Sequence, residues 1–271
     1  NGLNSYKDES FSKQNFNPDA YRDANSQRVT LRLTKENDNN LDSITPYIRS
    51  NDMKFFQHFL PGTPLEENNH KSIGIVFQRI SEYEDFNLVR GLQIDIAKAE
   101  LMETQKDALT TSSAFNNATR PKGKHYDYEV DSVVYALFAG VEDYRLNGDL
   151  NFFADGRAEF IEYDYSNRMI SGNTREDGSK CGFGGCYYNR PSDRSDEFNE
   201  ISARFGVTTT FEELNYFAQI SLGFRPPQIN EAYRLQKKQN VTDLDSETLT
   251  MIEIGTRFDR DTVNGSVSLY K

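Results

Sequence analysis

Only a few side chains in this chain have types and spacings that suggest chemistry, and Cys181 and Cys186 are the clearest pair. They bracket Gly182, Phe183, Gly184 and Gly185, and the glycines let so short a ring close. A disulfide here would remove roughly 2 kcal/mol of loop entropy from the unfolded state, a local staple suited to an oxidising compartment. The competing reading is a metal pair, but two thiols with no nearby histidine make half a zinc site at best. The three histidines, His58, His70 and His125, are scattered over other segments. The sequence therefore predicts a disulfide, no metal site and no cofactor.

No catalytic constellation is present: there is no G-x-S-x-G, no H-E-x-x-H, and no glycine loop placed to cradle phosphate before a helix. Arg157 with Glu159, and Glu200 with Arg204, share a face of an extended segment and read as ion pairs on a polar wall. The chain reads as a binder and not an enzyme. Met53, Lys54, Phe55, Phe56, Gln57, His58, Phe59, Leu60, Pro61 and Gly62 place three Phe and a Leu in a polar connector. Such a cluster buries either a ligand or neighbouring loops.

These residues hang on about ten β-like segments joined alternately by very short and very long links. The short links fall at 36–40, 82–86, 147–149, 212–213 and 259–264; the long ones run through 51–70, 103–129, 167–197 and 225–247. Tight turns on one side and elaborate loops on the other are how an up-and-down transmembrane β-barrel separates its two aqueous faces. The segments alternate accordingly. Ile201, Ala203, Phe205 and Val207 oppose Glu200, Ser202, Arg204 and Gly206; Ala218, Ile220, Leu222 and Phe224 oppose Gln219, Ser221, Gly223 and Arg225. Runs of roughly 9 to 11 residues suffice to cross a tilted barrel wall. Around Tyr135, Leu137, Phe138 and Val141 both phases are partly apolar, and in the strand from Leu150 the carboxylates Glu162 and Asp164 enter the apolar phase. That change predicts a strand rising out of the hydrocarbon layer.

Composition agrees. The 271 residues carry a net charge of -11, which gives no basic surface for nucleic acid. Mean hydropathy is -0.75, and no stretch approaches the 18 apolar residues of a membrane helix. A barrel tolerates this, because only alternate residues meet lipid. The 15 Tyr and 19 Phe suit interfacial girdles. A soluble β-sandwich also alternates, but its turns need not sort by length onto opposite edges.

The most specific stretch reads Gly223, Phe224, Arg225, Pro226, Pro227, Gln228, Ile229, Asn230, Glu231, followed by 243–247 and then Glu253, Ile254, Gly255. It resembles the barrel of TonB-dependent outer-membrane receptors, in which a strand ends in G-[FY]-R-x-P with an N-E pair following and the next strand carries E-x-G. Thr45 to Tyr47, the 57–61 segment and the cysteine loop ending in Arg190 to Arg194 are similar to the same family. The motif residues here are Gly223, Phe224, Arg225, Pro227, Glu253 and Gly255.

The resemblance implies an all-β, antiparallel fragment of about ten strands out of a barrel of about 22. Residues 1–271 would form one partial barrel domain, with the plug, the TonB box and the remaining strands outside it. It further implies a bacterial outer-membrane receptor taking up a large scarce nutrient such as a ferric siderophore, energised through the TonB complex acting on the plug and surrounded by outer-membrane lipid. Ligand-facing candidates are Phe55, Phe56, His58, Arg225, Gln228, Asn230, Glu231 and Tyr233, with loop bracing the alternative role for Arg225 and Glu231. The competing architectures are a complete ten-stranded barrel acting as a surface hydrolase or adhesin, and a soluble extracellular binding sandwich.

Overall fold

The computed structural model describes residues 18–57, 60–147, 150–241, 244–260 and 263–271. One antiparallel sheet is built from β1 (Arg22–Thr30), β2 (Leu33–Asn37), β3 (Asn40–Phe56), β4 (Leu65–Glu82), β5 (Asn87–Gln105), β6 (Gly123–Asn147), β7 (Leu150–Asn167), β9 (Arg194–Phe211), β10 (Leu214–Arg225), β12 (Glu247–Arg260) and β13 (Val263–Tyr270). From β3 onward each strand of this sheet pairs with the next one in the sheet along the chain, whereas β1 and β2 both pair with β3, β2 continuing the edge begun by β1. Among the described residues β1 and β13 end the order unpaired, so the sheet is open. The loops hold a ribbon of β8 (Tyr188–Asn189) with β11 (Leu235–Gln236) and two short helices, α1 (Ala114–Thr119) and α2 (Ile229–Tyr233).

The strands outrun the sequence expectation: β6 has 25 residues and β5 has 19. The long links shrink to 57–64, 106–122, 168–193 and 226–246. Phe55 and Phe56 accordingly sit at the end of β3 and not in a loop. The reason is that hydropathic alternation stops where lipid stops, whereas backbone N–H and C=O groups still need partners above it. Pairings such as Met53 with Asn68, and Asn69 with Glu100, supply them.

Register assigns each phase to a face. On the outer face Ile201, Phe205, Ile220 and Leu222 remain 67%, 52%, 47% and 41% exposed. Among the described residues no second sheet covers this row, which goes against the sandwich reading. Charges bracket the apolar band: Asp42 with Arg79 at 2.5 Å on the short-turn side, and Lys54 with Glu67 at 2.7 Å and Lys98 with Glu129 at 2.9 Å on the loop side. Between Lys71 and Arg79 of β4 lie Ile73, Ile75 and Phe77, roughly 26 Å of strand at about 3.3 Å per residue. Tilted, that spans most of an outward apolar band about 25 Å tall. Glu162 and Asp164 lie outward beyond Phe160, level with Glu197 and Ser195 of β9, where the strand has left the hydrocarbon.

The inner face is polar. Arg49 meets Asp95 at 2.7 Å, Arg204 meets Asp155 at 2.8 Å, and Gln219 donates to Glu253 at 2.6 Å. Arg157 pairs with Glu159 as the spacing predicts. Arg204 does not pair with Glu200. Four residues along a strand separate side chains by roughly 13 Å, whereas the residue directly across is about 5 Å away, so Asp155 captures the guanidinium. Phe217 lies flat on Gly255, where a Cβ would fall 2.6 Å from its ring, and Phe138 covers Gly91 in the same manner. The glycine of the E-x-G element is thus a seat for an inward aromatic side chain.

Candidate functional site

At the loop end the inner wall is not wet. Leu101, Tyr126, Tyr128, Val130 and Tyr165 are buried beneath Cys181, Cys186, Tyr188 and Tyr233 of the folded-back loops. The cysteine loop is closed by the expected disulfide. Its anchor is Arg190, fully buried, which donates from Nε to the Ile170 carbonyl at 2.7 Å, from Nη1 to the His125 carbonyl at 3.1 Å, and from Nη2 to the Thr174 carbonyl at 2.7 Å. A guanidinium offers five donors, and here it ties carbonyls of the loop at 168–193 to the start of β6.

The loop at 226–246 is held at two points. At its start, Arg225 bridges Glu231 at 3.2 Å and Glu247 at 3.0 Å, and Glu231 accepts the Gln228 backbone N–H at 2.8 Å. These contacts explain the motif: Arg225 leaves β10 facing inward, clamps the first turn of α2, and ties it to the start of β12. At its far side, Arg234 reaches Glu66 at 2.7 Å, Glu103, and the Gln57 side-chain oxygen at 3.2 Å. His125 faces Glu103 through Nδ1 at 3.0 Å, and its Nε2 donates to the Pro121 carbonyl at 2.8 Å.

Burial pushes the Glu103 carboxyl up, but the His125 hydrogen bond and the Arg234 charge outweigh it and hold it below its ordinary value. Burial likewise disfavours charge on Arg234, yet Glu103 and Glu66 raise it. Tyr126 is driven well above its usual range by burial first and Glu103 second, and its hydroxyl donates to the Leu235 carbonyl at 2.5 Å.

Beside this network opens a cavity of about 530 Å³ on the inner face, with Arg22, Phe55, Arg120, Tyr187, Asn230 and Arg234 in its wall. Arg120 lies 3.9 Å over the Tyr187 ring, and Arg22 lies 5.2 Å over Phe55. Neither makes an ion pair with a carboxylate among the described residues: Arg120 donates to the Asn116 side-chain oxygen at 2.7 Å, and the carboxylates in the same wall, Glu66 and Glu103, are engaged by Arg234.

Of the eight candidates read from sequence, Phe55 and Asn230 line this cavity. Phe56, the next residue on the strand, points to the opposite face and stacks with Tyr21 at 6.1 Å. Arg225, Gln228 and Glu231 brace the loop. Tyr233 is buried, stacked on Tyr165, and donates its hydroxyl to Asp196 at 2.7 Å. His58 lies outside the described residues. Sequence reasoning missed Glu66, Glu103, Arg120, Arg190 and Arg234. The one available signal was a carboxylate near the loop end of each of two neighbouring strands, Glu66 and Glu103, which stand directly opposite one another; Arg120, Arg190 and Arg234 lie in the loops and carry no periodic signal.

A sheet with a lipid-facing exterior, a polar interior, tight turns at one end and folded loops at the other is a wall of a transmembrane β-barrel. A family model described as TonB dependent receptor-like, beta-barrel, matches residues 1–271. The chain belongs to that family, which is one of transport receptors of the bacterial outer membrane. Among solved structures it is similar to the ferric citrate transporter FecA in its unliganded form, with 12% identity and a TM-score of 0.65 over 93% of this chain and 34% of that one. It is also similar to the siderophore receptor PiuA from Acinetobacter baumannii, with 11% identity and 0.63 over 93% and 40%, and to the copper transporter OprC, with 11% identity and 0.62 over 92% and 39%. The chain therefore spans well under half the length of these structures. No curated protein matches it in sequence.

Proposed function

We propose that this chain supplies part of the wall and the ligand-facing loops of a receptor that takes up an anionic metal chelate, with a ferric siderophore the preferred class. On this reading a plug domain and further strands complete the barrel, and the TonB complex energises passage through the plug. The protein would act by binding and transport and not by catalysis. The observation that carries the proposal is the inner-face cavity, where Arg22 and Arg120 make no ion pair with a described carboxylate and lie next to the aromatic rings of Phe55 and Tyr187, while the wall's own carboxylates Glu66 and Glu103 are held by Arg234. Charge-assisted hydrogen bonds and cation–π contacts suit a chelate with anionic oxygens and planar groups. Phe55 and Asn230 are proposed contacts; Arg225, Gln228, Glu231 and Tyr233 are proposed to hold the loop in place. Phe56, on the opposite face, and His58, outside the described residues, remain proposed contacts.

The test is equilibrium binding of ferric catecholate, ferric hydroxamate, ferric citrate and cupric ion to the full-length receptor. One ferric chelate should bind, and Arg120→Ala should weaken it about 10- to 100-fold, the equivalent of about 1.5 to 3 kcal/mol for a bond to a charged group. Binding of cupric ion alone, or a chelate affinity indifferent to both Arg22→Ala and Arg120→Ala, would refute the assignment.

A further inference from the structure

A second cavity lies on the opposite face and at the opposite end. It is a groove of about 1030 Å³ on the lipid-facing surface near the short turns. Its walls are Leu33, Ile44, Phe77, Leu92, Leu137 and Ile201, and its floor drops where β6 and β7 carry only Ala139, Gly156 and Ala158. Register identifies the face: each of these wall and floor residues occupies the outward phase.

At the turn end the groove is closed by a row of charges running across the sheet. Lys35 stands opposite Asp42, Asp42 opposite Arg79, and Arg79 opposite Arg90. Arg79 is matched by Asp42 through Nε at 2.5 Å and Nη2 at 2.8 Å. Arg90 is exposed and makes no hydrogen bond or ion pair with the described residues. Three cations thus share one carboxylate, and two of them are directly opposed arginines, an arrangement that repels unless an anion sits between them. Arginine at the edge of an apolar slot favours a phosphate group, which accepts its paired N–H donors.

We propose that this groove is a binding site for a single diacyl phospholipid of the leaflet nearest the short turns. The phosphate lies against Arg90 and Arg79, and an acyl chain runs along the floor formed by Ala139, Gly156 and Ala158. A free phosphate would satisfy the arginines but leave the groove unfilled; a hydrocarbon alone would fill the groove but leave Arg90 without an anion. A phospholipid satisfies both, and the position of the charge row, at the border of the apolar band, is the depth of a headgroup. The inference rests on the transmembrane arrangement and is independent of which nutrient the receptor carries.

The experiment is native mass spectrometry of the full-length receptor in detergent with added phosphatidylglycerol, comparing the parent protein with Arg90→Gln and Gly156→Leu. A Cβ at Gly156 would meet the Ser202 carbonyl oxygen at an ordinary 3.8 Å, so the backbone there accepts a side chain, and a leucine in this outward phase projects into the groove. One retained lipid on the parent, with apparent affinity about tenfold lower in each variant and unchanged by millimolar inorganic phosphate, is the expected result. Equal retention in either variant overturns the site, and full displacement by inorganic phosphate overturns the lipid assignment. Heat-modifiable migration in electrophoresis confirms that each variant is folded; if Gly156→Leu lacks it, Ala158→Leu and Arg90→Gln carry the same comparison.

Discussion

Strand β5 passes through both ends of the molecule and shows how differently they are held. Near the loops its inward residues Leu101, Glu103 and Gln105 are buried under other parts of the chain, and its outward residues Lys98 and Glu100 pair with Glu129 and Arg168. Near the turns Leu92 lines an outward groove, Arg90 stands in a charge row, and the inward Gly91 is covered by the Phe138 ring. The loop end is a small soluble-type core with its own apolar cluster, disulfide and buried ion network. Among the described residues the turn end has no such buried cluster, and it is held by the hydrogen-bond ladder and by lipid. One backbone register serves both, and what changes is whether the space on each face is filled by chain, water or hydrocarbon.

Arg234→Ala should separate the two ends most sharply. It leaves Glu66 and Glu103 buried beside a missing partner, a change that typically costs about 3–5 kcal/mol. Hydrogen exchange should accelerate through 226–246 and leave the turn-end strands protected; uniform acceleration would mean that the two ends unfold as one unit. Next in size is the contrast between Ile220→Arg and Ser221→Arg, neighbours on opposite faces of β10. In lipid, urea titration should charge the outward change about 2–4 kcal/mol if the site is near the midplane and the inward one far less. Equal costs would defeat the assignment of faces.

Replacing Cys181 and Cys186 with serine should lower the local stability of the loop at 168–193 by about 2 kcal/mol, seen as faster proteolysis there. The strands should be unaffected. The smallest effect at neutral pH is that of proton uptake by Glu103. Its folded value is held below the ordinary 4.5, so its contribution is fully present above about pH 4.5 and is lost as pH falls through the lower folded value. Acid should therefore loosen the loop at 226–246 before the strands, and Glu103→Gln should remove that dependence. Loss of loop protection on raising the pH from neutral would contradict the sign.

The parts legible in the sequence were those whose causes are local. The Ile201 and Phe205 row alternates with Glu200 and Arg204 because successive strand residues point to opposite faces, whatever the rest of the chain does. The cysteine staple was legible because its partners are 5 residues apart with glycines between them. The Arg225 to Glu231 clamp fell within one motif. Strand β6 was harder to read because its inward Phe138 is there to cover Gly91 on the next strand, so apolar residues occupy both phases.

The ion network escaped for a different reason. Arg234 and Glu103 are 131 residues apart and belong to strands and loops with no periodic relation. By itself, the order of residue types determined an alternating wall with its turns and loops sorted to opposite ends, because a period of two is a property of the extended backbone. Only the tertiary structure decided which inward residues stay wet and which are sealed under loops, since that depends on where distant segments fold back and on the partners their buried charges find there.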